Sequence, residues 1–269
     1  GGFLAESITD FIQGVLMFVA LLVVLGGSVI ALGGFGAIAD KLGDIPRFTD
    51  IFGIATPLDE SGNVVVSGAK QAIVNGAASF GAGSNYGLLN ILSCIAWGLG
   101  YFGMPQVLLR FMAVKKSSQL KKSRIIAVVW YAISLVAAVT IGLFGRALLP
   151  TLLPTSGEAE KIFIELTTRF FPPIIAGLVL SGILAASMSS SDSYMLIASS
   201  AVAKNLVGGF GKKVSDKTIM WVARISLLVI TVFGVLIALS GNDTIFRIVS
   251  YAWAGFGAAF GPLILFSLF

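Results

Sequence analysis

Two stretches of this chain hold residue types with no ordinary place inside an apolar helix. Residues 97–105 read W-G-L-G-Y-F-G-M-P, within a run, 71–109, that has no charged residue. A glycine inside a helix costs roughly 1 kcal/mol against alanine, and a proline about 3. Three glycines and a proline in nine positions therefore cannot sustain a regular ladder. At membrane depth an opened backbone is tolerated only where protein or a water-filled cavity satisfies its polar groups. The chemical reading is a helix unwound over 98–103, presenting free backbone groups of Gly98 and Gly100 and two half-helix ends to a small solute. Trp97 and Tyr101, four positions apart, would cover it. Pro105 would open the second half-helix, whose N-terminus suits a carboxylate. The plain reading is a kink whose glycines allow close helix packing.

The second stretch is S-M-S-S-S-D-S at 187–193, five serines and an aspartate inside an apolar run. Such groups are costly in a membrane unless satisfied. Ala186, Ser189, Ser190 and Ser193 fall at i, i+3, i+4 and i+7, one helical stripe. Two hydroxyl oxygens and a backbone carbonyl from that stripe suit a hard cation such as Na⁺, which favours oxygen ligands as Ca²⁺ and Mg²⁺ do. The alternative is packing, with hydroxyls bonded back to i−4 carbonyls. Asp192, an acid deep in a span, reads either as a cation or proton ligand or as one half of a pair. Asp10 and Arg110 lie near span ends, where snorkelling accounts for them. Gly257, Gly261 and Ala254 form a small-residue face for helix contact. Tyr131 reads as part of an ordinary span.

The elements that carry these residues are set by hydropathy. Of 269 residues, 57% are hydrophobic and 12% charged, against roughly 25% charged in soluble domains. Mean hydropathy is +0.96. The fold class is all-α integral membrane. Six spans are expected, at about 11–32, 86–112, 125–145, 170–203, 220–239 and 248–269, each near the roughly 20 residues that cross a bilayer. Residues 240–243, S-G-N-D, end the fifth. Residues 115–124 hold five basic residues and no acid, and 204–217 hold four basic residues and Asp216. The positive-inside rule puts both loops in the cytoplasm. The connections 40–70 and 150–169 then face outside, the first as short surface helices. The net charge of +5 reports topology, and no nucleic-acid partner is implied. One cysteine and no histidine exclude an internal disulfide, Cys/His metal sites and Ser-His or Cys-His catalytic pairs. The chain starts at Gly1 with no basic n-region, so no signal peptide is read. Both ends look cut, and a piece of a longer protein is expected.

Several motifs together resemble the sodium:solute symporter family, and within it the bacterial sodium/proline symporters. They are G-G-F-L-A-x-S-x-T-D at 1–10, W-G-L-G-Y-F-G-x-P at 97–105, R-F-M-A at 110–113, F-I-E-L at 163–166, S-x-I-L-A-A-x-M-S at 181–189 and V-S-Y-A-W-A-G-F-G-A-A-F-G-P at 249–262. The resemblance implies a five-plus-five inverted-repeat core. Residues 1–269 would be one transmembrane domain, the last helix of the first repeat plus the whole second repeat, with the N-terminal transmembrane half missing. It implies that Ser189 and Ser190 are the family's Na⁺-binding hydroxyl pair, with the Ala186 carbonyl, and that Trp97, Tyr101 and Pro105 lie at the proline site or its gate. The function implied is Na⁺-coupled proline uptake across the cytoplasmic membrane, with the lipid bilayer as surroundings and no enzymatic activity. The alternatives are a sibling symporter for another small organic solute, and a non-transporting membrane sensor or structural subunit.

Overall fold

The structure, a computed structural model, describes residues 3–66, 69–152, 154–207, 214–240 and 245–267. It is mostly helical. Among the described residues five helices are long and apolar enough to cross a membrane: Leu4–Leu32, Ser117–Leu148, Pro173–Asn205, Asp216–Leu239 and Ile245–Phe266. A bent pair, Leu88–Gly103 with Pro105–Met112, makes a sixth if counted as one span. In chain order the helices are α1 (Phe3–Leu32), α2 (Gly36–Leu42), α3 (Leu88–Gly100), α4 (Pro105–Met112), α5 (Ser117–Leu148), α6 (Ser156–Ala159), α7 (Ile162–Phe170), α8 (Pro173–Ser200), α9 (Asp216–Ser240) and α10 (Ile245–Phe266).

The packed centre is the seam where α1 meets α8 and α5. Ala20, Val24, Ile141, Leu166 and Val179 form one buried cluster, and Leu32, Leu42, Phe144 and Ala147 a second. Apolar surface alone does not drive helices together in lipid, so close approach and interhelical packing decide the seam. Gly182 of α8 allows that approach, since a Cβ there would stand 2.6 Å from the Ala20 Cβ. By contrast, the apolar window of α9 has no buried residue. Its Leu, Ile, Val and Phe side chains face outward, as a lipid-facing helix requires.

Two expectations are corrected. The 40–70 connection does not form surface helices beyond the start at α2. It contributes β1 (Gly53–Ile54), which pairs antiparallel with β4 (Ser84–Asn85) from beyond it, and β2 (Ile73–Val74) pairs with β3 (Ala77–Ala78) in the segment that follows. Turn chemistry sets that second pair: Asn75 and Gly76 both have positive φ, 52° and 80°, the Asn-Gly pair that a two-residue hairpin needs. The basic residues Lys121, Lys122 and Arg124 lie in the first turns of α5 and not in a loop, because α5 starts at Ser117. The 150–169 connection holds α6 and α7. In α6, Thr155 and Glu158 close a reciprocal capping box, and the Thr155 hydroxyl holds the Glu158 carboxyl below its usual range. Residues 208–213 of the second basic loop, the stop at 241–243, and residues 1, 2 and 269 lie outside the described residues.

The seam generates a direct test. Gly182→Val should destabilise the protein by about 1–3 kcal/mol, the usual range for overpacking, because it drives side chain into Ala20 and the Leu16 carbonyl. Gly177→Ala on the same helix meets nothing within 4 Å and should not destabilise. Thermal unfolding in detergent compares the two.

Candidate functional site

The broken helix is built in three steps. α3 runs unbroken to Gly100, tightens into a 3-10 turn at Tyr101–Gly103, and then stops at Met104, which is extended at φ −89°, ψ 110°. Pro105 occupies the first turn of α4, where its missing N–H costs nothing. The N–H groups of Val107 and Leu108 both bond to the Met104 carbonyl, at 3.1 and 3.2 Å. The two halves differ in direction by 56°. The break is real but narrower than 98–103: Gly98 and Gly100 remain helical, and the joint is at Met104. Packing gives the reason. A Cβ on Gly103 would stand 2.2 Å from the Phe256 carbonyl oxygen, and one on Gly257 would stand 2.9 Å from the Gly100 Cα. The small-residue face of α10 therefore fills the volume beside the break, as the G-x-x-x-G spacing led one to expect.

Aromatic rings line this seam. Trp97 stacks on Trp253 and Phe246, with ring centroids 6.0 and 5.5 Å apart, and Tyr101 meets Trp253 edge-on at 5.0 Å. Trp253, Phe246 and Tyr194 are the members that sequence reasoning missed. The A-W-A-G pattern placed Trp253 on α10, but nothing in the chain gave its partner. Tyr131 and Tyr194 lie beside the Tyr101 hydroxyl, so Tyr131, although on the unbroken span α5, borders the aromatic seam. Tyr194 also lies against Gln106, which brings α8 up to the break.

The serine stripe splits between two faces. The Ser189 hydroxyl donates to Oδ1 of Asp10 at 2.7 Å. Ser193 donates to Oε1 of Glu6 at 2.8 Å and accepts from Arg110 at 3.2 Å. Arg110 in turn pairs with Oδ2 of Asp10 at 2.5 Å. Asp10 and Arg110 are thus partners across the bundle and not snorkelling charges. The signal available was Glu6 and Asp10 at i, i+4 facing Ser189 and Ser193 at i, i+4. Arg110 is 55% exposed and Asp10 12%, so this pair contributes nearer the about 1 kcal/mol of a surface pair than the several of a buried one. Its weight is positional: it ties the end of α4 to α1 and α8. Ser190 is exposed and its hydroxyl has no partner among the described residues, while Ala186 is partly buried. Asp192 is exposed and forms no ion pair among the described residues, so the pairing reading of it is not met there. Four buried polar atoms lack a partner among the described residues: Glu6 Oε2, Gln13 Oε1, Ser134 Oγ and Trp253 Nε1. Two of them border the sites just described.

Helices of bilayer length, one broken beside an aromatic seam, define a multi-pass membrane protein. The sodium:solute symporter family model matches residues 1–269, and the chain belongs to that family. It is 40% identical to the osmoregulated proline transporter OpuE of Bacillus subtilis (strain 168), over all of this chain and 49% of that protein. It is 37% identical to the high-affinity proline transporter PutP of the same strain, over all of this chain and 51% of that protein. It is 34% identical to the sodium/proline symporter of Staphylococcus aureus, over all of this chain and 47% of that protein. The chain spans about half the length of the curated relatives it matches.

The two glycines of the break separate by function. Gly103→Ala forces a Cβ against backbone and should cost about 1–3 kcal/mol. Gly98→Ala meets nothing within 4 Å and should stabilise α3 by up to about 1 kcal/mol. Unfolding midpoints of the two variants test this; equal midpoints would mean that the α10 seam does not hold the break.

Proposed function

We propose that the complete protein is a Na⁺-coupled symporter that takes up L-proline across the cytoplasmic membrane. The observation that carries this is the break at Met104 within a chain of this family, walled by Trp97, Tyr101, Trp253 and Phe246. Proline is compact and zwitterionic. Its ring suits an aromatic wall, and its carboxylate suits the N-terminus of α4 at Pro105. Trp97 and Tyr101 contact the substrate. Gly98 leaves the outer face of α3 open towards it, and Gly100 lets Trp253 close up behind it. The relatives' names, two of them proline transporters and one a sodium/proline symporter, support proline and sodium as the transported pair over another small organic solute. They also support transport over a sensor or structural role.

In this reading the six spans, with the bent pair as one, form the last helix of a first repeat and the five of a second. Residues 1–269 are one domain of a five-plus-five core, and the remaining half supplies the other wall of both sites. Ser189, Ser190 and the Ala186 carbonyl contribute sodium ligands from α8. Residues 1–269 alone should not transport, because half of such a site leaves cation and solute with too few ligands.

Radiolabelled proline uptake by the full-length protein in proteoliposomes, with and without a Na⁺ gradient, decides the class. Uptake indifferent to sodium would end the symport reading. Ser190→Ala is the cleanest single variant, since that hydroxyl holds no partner among the described residues. It should leave stability unchanged and raise the half-saturating Na⁺ concentration at least about tenfold, the loss that even outer-shell partners of a metal often cause. By linkage, proline affinity should recover as Na⁺ rises. Ser199→Ala, whose hydroxyl bonds its own helix at Leu196, should not change Na⁺ dependence.

Tyr101→Ala tests the aromatic wall. It should raise the KM for proline about tenfold, equivalent to about 1.4 kcal/mol, a loss within reach of one ring contact to a cation. Tyr131 is no control because it lies beside Tyr101. Tyr251, 86% exposed, is one, and Tyr251→Ala should leave KM unchanged.

A further inference from the structure

At the end of the molecule opposite the Glu6–Asp10–Arg110 cluster lies a cavity of about 910 Å³, between the hairpin-bearing loop, α6 and the near ends of α5 and α10. Arg146 of α5 stands in its wall. Its guanidinium donates to Oε1 of Gln71 at 2.9 Å and lies 5.0 Å from the centre of the Phe80 ring. Gln71 is itself fixed, its amide donating to the Ser79 carbonyl at 2.7 Å and its backbone N–H to the Pro154 carbonyl at 2.9 Å. The guanidinium is thus held in one place by the loops.

Arg146 has no carboxylate partner among the described residues, and one hydrogen bond uses one of its five N–H donors. A guanidinium cannot shed its charge as a buried lysine can, so partial burial leaves a fixed cation with open donors. The acids of the neighbouring α6 segment are already engaged. Glu158 is bound in its capping box with Thr155, and Glu160 accepts from the N–H of Ile245 at 3.0 Å, at the start of α10. The other walls are mostly apolar and aromatic, with Phe48, Phe80 and Phe246 among them, and Ser156, Ser250 and a second guanidinium, Arg247, also line the cavity. A planar fork of donors takes a carboxylate in bidentate fashion, and the rings beside it suit a compact apolar body. Phe246 is shared with the break, since its other neighbour is Trp97.

We propose that this cavity is a receiving subsite for the carboxylate of a small zwitterionic solute, with Arg146 as its anchor, separate from the site at the break. The subsite rests on the transport reading above and deepens it. An Asp or Glu side chain from a segment beyond this chain would satisfy the same chemistry, so the test must separate the two sources.

The test uses the full-length protein in sodium-free buffer, with Cys94→Ser and any cysteine outside residues 1–269 replaced by serine as well, and Ser156→Cys to place a reporter in the cavity wall. The rate of labelling by a membrane-impermeant maleimide is measured with acetate, L-proline or L-prolinamide. Acetate and L-proline should slow labelling about tenfold at ten times their dissociation constant, as the free fraction falls by 1 + [L]/Kd. L-prolinamide, which lacks the carboxylate, should not. Arg146→Gln should abolish the protection, and Arg146→Lys should retain part of it. The comparison of proline with prolinamide needs no change at Arg146, so a misfolded variant does not spoil it. Equal protection by prolinamide would overturn the subsite. So would an absence of protection by any carboxylate, whether Arg146 is then solvated or already paired with an acid of the same protein. No sodium and no uptake are needed, so failure here is distinct from failure of sodium-driven proline uptake.

Discussion

A helix can be interrupted within an apolar layer only where other protein takes over its lost volume and shields its loosened backbone. In this molecule that task falls to α10. The Phe256 carbonyl lies so close to Gly103, and the Trp253 side chain so close to Gly100, that neither of those glycines has space for a Cβ, and Gly257 has none because of the Gly100 backbone. Trp253 packs against Gly100 and meets the rings of Trp97 and Tyr101. The glycines of the break and the G-x-x-x-G face of α10 are two halves of one device. With either set replaced by larger side chains, α10 would be pushed off and Met104 would meet lipid. The packing and binding readings of these glycines therefore do not compete: close packing of Gly100 and Gly103 is what allows an open joint one residue later.

The charged network at the other end of the broken helix follows the same economy. Two carboxylates on α1, one guanidinium at the end of α4 and two hydroxyls on α8 meet in one place. Arg110 sits in the last turn of α4, where a cation also meets the negative end of the helix dipole. The exposure of Arg110 keeps the energy of its ion pair small, so the arrangement does little for overall stability. It fixes where α4 ends relative to α1 and α8. One oxygen of Glu6 is buried without a partner among the described residues, while the other accepts from Ser193.

Legibility in the sequence followed the range of the interaction. The lipid-length helices, the broken span and the Pro105 restart are local in origin, written in hydropathy, glycine and proline, and the structure carries them. The position of the break within 98–103 was not local. It depends on which glycines α10 covers, and that contact joins residues about 150 positions apart. The hairpin at 73–78 was legible in the Asn75–Gly76 pair, just beyond the 40–70 loop in which surface helices were expected, whereas the pairing of β1 with β4 joins residues about 30 positions apart. The serine stripe was legible as a stripe. Its division into Ser189 and Ser193, turned to Glu6 and Asp10, and Ser190, turned away, was not, because helical spacing gives a face and not its neighbour. Asp10 and Arg110, separated by 100 positions, read singly as ordinary span-end charges for the same reason.

A chain of contacts runs the length of the molecule on the broken helix. Phe246 at the cavity stacks on Trp97, Trp97 on Trp253, and Trp253 meets Tyr101. Tyr101 lies beside Tyr194, and Tyr194 follows Ser193, which is bonded to Glu6 and Arg110. Each neighbour is a ring or a hydrogen bond, and the one flexible link is the extended Met104 between α3 and α4. Contiguity alone is not coupling. What makes this route mechanically meaningful is that its two ends are attached to different halves of the broken helix. The aromatic wall belongs to α3, and the Arg110 pair belongs to α4. Any change in the angle at Met104 must therefore alter one set of contacts relative to the other, against the glycine-packed atoms of α10 on one side and the Arg110 ties to α1 and α8 on the other.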